Sequence, residues 1–155
     1  MSPAPVPELS PEYLTALYQA VNASPFPSHL LMRLVLVERE RSRVELDIAK
    51  FHLQPFEIVH GGAIATLIDT ATFWAGFSTI AEDSGLVNVD LKLNYLAAAR
   101  SGKLVAEGKT IRFGKTLTYA EARVLDASGE LIAHGTSTLM VLPGKGLSLG
   151  IPKFR

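Results

Sequence analysis

The sequence predicts an α+β domain in which a six-stranded antiparallel sheet wraps around one long buried helix. Two observations lead to this fold class. The stretch from Gly61 to Ala81 contains one charged residue, Asp69, which indicates a buried helix. Segments with the alternation of β-strands lie on both sides of this stretch, and those after it follow one another without intervening helices. An antiparallel sheet packed on one helix satisfies this order of elements.

Composition restricts the class of protein. With 155 residues, of which 48% are hydrophobic and 19% charged, the chain suits one folded domain with apolar surface left to bury against other subunits. The 15 basic and 15 acidic residues balance and form no long run, which argues against a nucleic-acid partner. The lack of cysteine excludes disulfides and thiolate metal sites, and residues 1–10 lack the features of a signal peptide. We expect a cytoplasmic homo-oligomer.

The N-terminal region, residues 1–23, is predicted to be a short extension followed by an amphipathic helix. Ser10 suits the N-cap of this helix and Pro11 its first turn. The Ser-Pro-Phe-Pro run that begins at Ser24 is expected to end the helix, since proline cannot continue it. Two strands joined by a hairpin should follow: 30–37 and 43–48.

The long helix is predicted to begin at His60, where Gly61 and Gly62 permit a tight entry. Its apolar length approaches that of a membrane span. Asp69 in its middle and the strands that flank it favour a buried helix instead. We therefore expect no contact with a membrane.

Four strands are predicted after the long helix. The clearest, 87–95, alternates apolar residues with polar ones, which places Asn88 on the face opposite Leu91. The others complete a meander: 103–113, 118–125 and 131–142. The last residues, 143–155, contain glycine and proline and predict a loose tail. We therefore assign the folded domain to residues 24–142.

Asp69 is the first candidate for a chemical role. A carboxylate within an uncharged helix costs several kcal/mol to desolvate unless it has partners. It is either a structural carboxylate with hydrogen-bonding partners or a base or nucleophile in a dry cleft. The residues alone leave both interpretations open.

The run His60-Gly61-Gly62 is the second candidate because it stands where the long helix begins. Free N–H groups at a helix N-terminus favour negative charge, so this terminus can act as an oxyanion hole for a substrate carbonyl. A plain tight loop is the alternative. Asp69 follows Gly61 by eight residues, about 12 Å along a helix. If both act on one carbonyl, Asp69 should therefore come from a neighbouring subunit.

Three segments resemble the PaaI-type branch of the hotdog-fold thioesterases. They are HLQPFEIVHGGAIATLIDTATFWA from His52, NVDLKLNYLAAA from Asn88, and IRFGKTLTYAEARVLDASGELIAHGTSTLMV from Ile111. The resemblance covers roughly residues 24–142. It implies a hotdog fold and an acyl-CoA thioesterase that releases CoA and an aromatic or medium-chain acid. It also implies a dimer of dimers with active sites at the dimer interface, and no metal or redox cofactor.

The same resemblance implies roles for individual residues around the long helix. Asp69 falls on the catalytic acid, which acts as general base or nucleophile, and the backbone N–H of Gly61 falls on the oxyanion donor. Gln54 falls on an amide side chain that holds the thioester or the attacking water. His60 matches a histidine that shapes the loop and assists carbonyl binding, and Gly62 beside it is assigned to substrate binding. A purely structural role for His60 remains an alternative.

Three further positions are compared with the family in the same way. Asn88 is the nearest match to a Ser or Thr that positions water from across the dimer interface in relatives. Phe73 lies one turn beyond Asp69 and is a candidate for an acyl pocket, with an ordinary core position as the alternative. Glu57 departs from the glycine that is common just before the His-Gly-Gly.

The turn at Gly114-Lys115, with Arg112 before it, resembles the turn that contacts CoA in this family. There the backbone and basic side chains meet the pantetheine arm or the phosphates. A plain turn lysine is the alternative for Lys115. We assign all three residues to substrate binding.

Other functions are excluded or remain as alternatives. No Gly-x-Ser-x-Gly elbow of a serine hydrolase is present, and the four histidines lack the spacing of metal ligands. Two other hotdog functions remain: a regulatory module that binds acyl-CoA, and a hydroxyacyl-thioester dehydratase. The regulatory module would lack the catalytic acid, which Asp69 argues against, and the dehydratase would release no free thiol.

Overall fold

A six-stranded antiparallel sheet wraps around one long helix in the computed structural model, which describes residues 7–155. The helices are α1 (Pro11–Ala23), α2 (Pro25–His29) and α3 (Gly61–Phe77). The strands are β1 (Met32–Glu38), β2 (Arg41–Asp47), β3 (Gly85–Tyr95), β4 (Lys103–Phe113), β5 (Leu117–Leu125) and β6 (Leu131–Leu142). Their order in the sheet is β1-β2-β4-β5-β6-β3. This is the architecture that the sequence predicts.

The long helix α3 packs on the sheet and contacts all six strands. Leu67, Ile68 and Ala75 on this helix have no exposed surface. Gly108 of β4 lets the helix come close, because a Cβ atom there would stand 2.2 Å from the carbonyl oxygen of Ala71. A helix that is apolar on most of its surface requires such burial. The close packing fixes the position of α3 relative to the sheet.

Helix α1 covers one edge of the sheet. Asn22 exchanges two hydrogen bonds with the backbone of Leu34 in β1, at 2.8 and 3.0 Å. The N–H of Val37 in the same strand donates to the hydroxyl of Tyr18 at 2.8 Å. In residues 7–155, no helix other than α3 packs on β3, the strand at the opposite edge. Exposed edge strands are the places where sheets pair with other chains, so the two edges differ in their capacity for association.

The start of the chain follows the prediction with one addition. Ser10 caps α1 by accepting a hydrogen bond from the N–H of Tyr13 at 3.3 Å. The helix ends at Ala23, but Pro25 then begins the short helix α2, which the sequence pattern does not predict. Proline fits the first turn of a helix because the N–H that it lacks has no partner there. The first strand consequently begins at Met32 instead of residue 30.

Strand β3 departs from the predicted alternation at a β-bulge. Its register with β6 shifts between Asn88 and Asp90, which leaves Val89 unpaired. An inserted residue reverses the faces that the following side chains take. Asn88 therefore faces α3 together with Leu91 and Tyr95, so its predicted position on the face opposite Leu91 is wrong.

The C-terminal segment, residues 143–155, packs against the domain, and the prediction of a loose tail is wrong. Lys153 is 1% exposed, and its Nζ donates to the carbonyls of Phe77 at 2.6 Å and Ile80 at 2.9 Å. These carbonyls lie at the C-terminal end of α3, where the last turn of a helix leaves acceptors free. The same ammonium stands 3.9 Å from the centre of the Phe77 ring. The segment is thus attached to the end of the central helix.

The proposed domain limits, 24–142, stay a prediction. Residues 1–6 of the predicted N-terminal extension lie outside the described residues. The two flanking regions also contact each other, because the N–H of Ser10 donates to the carbonyl of Lys153 at 2.8 Å. Of the helices in residues 7–155, none has the length and hydropathy needed to span a membrane.

Candidate active site

Asp69 faces a cleft between α3 and the two N-terminal helices. The cleft has a volume of about 590 Å³. Most of its lining is apolar: Val21, Met32, Phe73, Trp74, Leu91 and Leu147. Among the described residues that line the cleft, Asp69 is the only ionisable one. The arrangement places one reactive group beside space for an apolar ligand.

The surroundings of Asp69 act on its carboxylate in opposite directions. Burial raises the pKa of Asp69, because the charged form loses water, and a hydrogen bond from the side-chain amide of Asn88 lowers it. Burial is the larger effect, so the pKa lies above the ordinary aspartate value. Asn88 contacts Asp69 of its own chain, without an intervening interface. The raised pKa makes this carboxylate a better proton acceptor than a solvated aspartate.

The N-terminus of α3 presents one free amide. His60 is the N-cap, and its Nδ1 accepts a hydrogen bond from the N–H of Gly62 at 2.8 Å. The N–H of Gly61 makes no hydrogen bond with any residue from 7 to 155. The first N–H groups of a helix have no partner within the helix. Gly61 therefore offers a donor to a ligand, whereas the amide of Gly62 is already used.

Tyr95 from β3 closes over this N-terminus. Its hydroxyl donates to the carbonyl of Gly61 at 3.0 Å. A Cβ atom at position 61 would stand 2.9 Å from both Cζ and the hydroxyl oxygen of Tyr95. Glycine is therefore needed here for the ring to lie against the backbone. The sequence does not predict this contact, because the alternation of β3 gives the face of Tyr95 but not the residue of α3 that it meets.

The loop before His60 contains the predicted site residue Gln54. Its side-chain oxygen accepts a hydrogen bond from the N–H of Phe56, so the amide is turned into the loop. Glu57 has a φ of 60°, a left-handed conformation that glycine adopts most readily. Arg100 donates to the Glu57 carbonyl at 3.3 Å and holds the loop in place. Glu57 therefore has a strained backbone at the position where the family commonly has glycine.

The structure separates the predicted residues into three groups. Phe73 lies in the same cleft as Asp69, as expected for a candidate acyl pocket. Gly61, Gly62 and His60 lie at the start of α3, about 12 Å along the helix from Asp69, and Gln54 precedes them. One chain does not bring Asp69 and the free amide of Gly61 to a single carbonyl.

The predicted CoA turn forms the third group. Gly114 and Lys115 line a cavity of about 420 Å³ together with Thr79 and Ser84, which follow the C-terminal end of α3. Arg112 in β4 is exposed nearby. The turn is therefore at the opposite end of α3 from His60. Residues 7–155 contain no group of three or more His, Asp or Glu that could hold a metal ion.

Residues 56–133 match the sequence profile of the Thioesterase superfamily. The matched region covers half of the chain and includes the whole of α3 with its N-cap His60. The chain belongs to the thioesterase superfamily. This membership confirms the predicted class of enzyme, a thioester hydrolase.

Individual relatives of this thioesterase are consistent with the family. Acyl-coenzyme A thioesterase 13 of Mus musculus is 31% identical over 107 residues, which cover 68% of this chain and 76% of the relative. A 1,4-dihydroxy-2-naphthoyl-CoA hydrolase of Listeria monocytogenes is 26% identical over 110 residues, which cover 71% of this chain and 89% of the relative.

Solved structures share the fold of this thioesterase. A thioesterase family protein from Silicibacter pomeroyi has a TM-score of 0.78 and 27% identity, over 85% of this chain and 99% of that one. The E. coli PaaI protein from the phenylacetic acid degradation operon has a TM-score of 0.80 at 16% identity, over 90% of this chain and 99% of that one. At this low identity the likeness to PaaI concerns the fold. The predicted hotdog fold is confirmed.

Several residues of the thioesterase cleft were not predicted from the sequence. Leu91 reaches the cleft from β3, and Leu147 reaches it because the C-terminal segment packs against the domain. Phe26 contributes from α2, whose existence was not predicted. Phe26 and Leu147 lie outside the region 56–133 that matches the family.

Proposed function

We propose that this thioesterase hydrolyses acyl-CoA esters, releasing CoA and an aromatic or medium-chain acid, and that each active site is formed by two subunits. The observation that supports this most is Asp69, a carboxylate of raised pKa in an otherwise uncharged apolar cleft. Two relatives are named as hydrolases of CoA esters, which favours the same leaving group here. The lack of cysteine fits a cytoplasmic location.

Asp69 supplies the base for the reaction. As a water molecule attacks the carbonyl carbon, a carboxylate oxygen of Asp69 takes one proton from it, and the carbonyl becomes a tetrahedral oxyanion. Collapse of this intermediate breaks the carbon–sulfur bond, and the CoA thiolate leaves and takes up the proton that Asp69 holds, which restores the carboxylate. Direct attack by Asp69, giving an anhydride that water then hydrolyses, is the other route open to this carboxylate. Neither route requires a metal or redox cofactor.

The N–H of Gly61 stabilises the oxyanion in this proposal. An amide at a helix N-terminus, already aligned and without a protein partner, is suited to a charge that develops in the transition state. His60 keeps the amide of Gly62 engaged and so fixes the first turn. Because Gly61 and Asp69 of one chain are about 12 Å apart, the two groups that meet one carbonyl come from different chains.

The open edge of the sheet supports this association. β3 is an edge strand, and several of its apolar side chains are exposed: Val89, Leu91 and Tyr95. Long edges with exposed apolar residues pair readily with another strand. β3 also contains both Asn88, which contacts Asp69, and Tyr95, which contacts Gly61. A dimer formed along β3 therefore places two sites beside its interface.

A second exposed apolar patch supports the dimer of dimers. It lies across the ends of β3, β6 and β5, where Val87 pairs with Met140 and Met140 with Leu117. Single exposed apolar residues are common, but a contiguous patch favours a protein interface. The basic turn around Lys115 lies beside the end of α3 and is the proposed contact for CoA. There Arg112 and Lys115 would meet phosphate groups, for which basic side chains are suited.

The decisive experiment measures free thiol released from acyl-CoA esters by the wild type and by Asp69→Asn. We expect the variant to lose about a hundredfold to ten-thousandfold in kcat while it still binds CoA esters, because it lacks only the base. Asp47→Asn is the matched control, since Asp47 is an exposed aspartate on β2, away from the proposed interface along β3. Its turnover should equal that of the wild type.

The same assay separates the alternative functions. Turnover of Asp69→Asn equal to that of the wild type would contradict the role of Asp69. Binding of acyl-CoA without thiol release by the wild type would identify a regulatory module. Loss of water from a hydroxyacyl-CoA, again without thiol release, would identify a dehydratase.

A further inference from the structure

The cleft that contains Asp69 adjoins a second cavity, and the side chain of Leu147 lines both. The second cavity has a volume of about 700 Å³ and is formed by the C-terminal segment together with Glu82 and Asp83. Leu147 is thus the residue that the two spaces share. We expect truncation of its side chain to enlarge the space where the two meet.

The Asp69 cleft follows α3 from Ala65 to Trp74, a distance of about 13 Å along the helix. The part beyond Asp69, towards Trp74, measures about 7 Å. Glu82 and Asp83 come after the C-terminal end of α3, so the second cavity adjoins this part of the cleft. Leu147 therefore stands where an acyl group that starts at Asp69 and runs past Phe73 would end.

The lining of this part of the cleft defines the chemistry of the acyl group. Phe73 and Leu147 offer apolar surface and Trp74 an uncharged aromatic ring, and no Lys, Arg or His of residues 7–155 lines the cleft. A carboxylate on the acyl group would lose its water without gaining a cation, and it would lie near Asp69. The cleft therefore suits uncharged, apolar acyl groups.

We propose that Leu147 limits the length of the acyl group, and that the substrates are uncharged apolar acyl esters that end at this side chain. The inference rests on the thioesterase function proposed above, and it adds a residue that selects among substrates. Leu147 belongs to the C-terminal segment, outside the region 56–133 that matches the family. The limit is thus set by a part of the chain outside the family match.

Two contacts hold Leu147 at this place. The hydroxyl of Tyr13 in α1 donates to the carbonyl of Leu147 at 3.4 Å. Lys153, further along the same segment, is bonded to the carbonyls at the end of α3. These contacts connect Leu147 to the helix that contains Asp69, so the distance between the catalytic carboxylate and the end of the cleft is fixed.

The test compares thiol release from octanoyl-, phenylacetyl-, palmitoyl- and succinyl-CoA by the wild type, Leu147→Ala and Leu147→Trp. We expect the wild type to prefer the octanoyl and phenylacetyl esters and to hydrolyse the succinyl ester poorly. The ratio of kcat/KM for palmitoyl over octanoyl should rise about tenfold or more in Leu147→Ala, which enlarges the space where the two cavities meet, and fall in Leu147→Trp. Leu149→Ala is the control, because Leu149 packs against the core and lines neither cavity.

The outcomes separate this inference from the proposed function. A wild type that releases no thiol from any of the esters would overturn both. A wild type that is active, with Leu147 variants whose ratio stays within about twofold of its own, would overturn the role of Leu147 alone. An equal rise of the palmitoyl-to-octanoyl ratio in Leu149→Ala would also overturn the role of Leu147, since it would show a general loosening of the C-terminal segment. Preference for the succinyl ester would overturn the apolar substrate class.

Discussion

The side-chain amide of Asn88 donates a hydrogen bond to the carboxylate of Asp69 in the same chain. The bulge at Val89 makes this contact possible, because it turns Asn88 towards α3 while Leu91 still reaches the cleft. Burial raises the pKa of Asp69 and this hydrogen bond lowers it. The strength of the proposed base is therefore set by the balance of the two effects.

Replacing Asn88 by leucine should move the acidic limb of the pH profile to higher pH. Leucine keeps Asp69 buried but removes the hydrogen bond that stabilises its charged form, so the pKa of Asp69 rises further. A base acts only when it is ionised, so activity is lost below a higher pH than in the wild type. The measurement is kcat/KM against pH. The control is Asn94→Leu, which replaces an exposed asparagine of the same strand and should leave the acidic limb in place. A shift of the limb to lower pH in Asn88→Leu would contradict the role of Asn88 in lowering the pKa of Asp69.

Proline and alanine at position 61 should differ sharply in activity. Both add a Cβ atom that displaces Tyr95, but only proline removes the N–H that is proposed to bind the oxyanion. Proline is tolerated at the first residue of a helix, so α3 should form in both variants. We expect Gly61→Pro to have a kcat about a hundredfold to a thousandfold below that of Gly61→Ala. Circular dichroism checks the fold, and equal kcat values would exclude this amide as the donor.

Mixed oligomers test whether Asp69 and Gly61 act from different subunits. When inactive Asp69→Asn and Gly61→Pro chains are refolded together, half of the dimers are hybrids, and one of the two sites in each hybrid combines an intact Asp69 with an intact Gly61. About a quarter of wild-type activity should then return, since half of the sites in half of the dimers are complete. If each site were formed within one chain, the mixed dimers would recover no activity. Mixing either variant with itself is the control.

Lys153 should make the stability of the protein depend on pH in the alkaline range. Burial lowers the pKa of Lys153 from 10.5 to about 8. Between these values the unfolded chain binds more protons than the folded one, so the free energy of unfolding rises with pH. A neutral amine keeps two N–H groups, which is enough for the carbonyls of Phe77 and Ile80.

The variant Lys153→Met isolates this contribution, because methionine does not titrate and leaves the two carbonyls without their donor. The stability advantage of the wild type over this variant, measured by denaturant unfolding, should grow from pH 8 to pH 10.5. The exposed Lys145 of the same segment provides the control Lys145→Met, which removes a lysine from the segment and leaves the contacts of Lys153 in place. An advantage that shrinks as pH rises would contradict the lowered pKa of Lys153.

The parts of the fold that depend on local pattern were predicted well from the sequence. Ser10 caps α1, the apolar stretch after His60 forms α3, and β6 spans 131–142 as predicted. The bulge at Val89 and the packing of residues 143–155 were not predicted. A bulge depends on the partner strand, and the segment is held by contacts between Lys153 and a distant helix end, so neither leaves a periodic signal.

The residues of the candidate site also divide into those that the sequence pattern indicates and those that depend on tertiary contacts. Asp69 stands out from the sequence because a lone charge in an apolar helix needs a reason, and the structure shows its cleft and its partner Asn88. Tyr95 and Leu147 do not stand out, because a tyrosine in a strand and a leucine in a tail are ordinary residues. Only the tertiary structure brings them to Gly61 and to the end of the cleft.

The unequal edges of the sheet determine how far this protein can assemble through strand pairing. Tyr18 and Asn22 bond to the backbone of β1, which leaves β3 as the edge that can accept another strand among residues 7–155. A sheet with two open edges can add copies without end and grow into a fibre. Here each copy has one free edge, so pairing β3 with β3 uses up both and growth stops at two chains. Asn22 and Tyr18 thereby protect the protein from open-ended polymerisation.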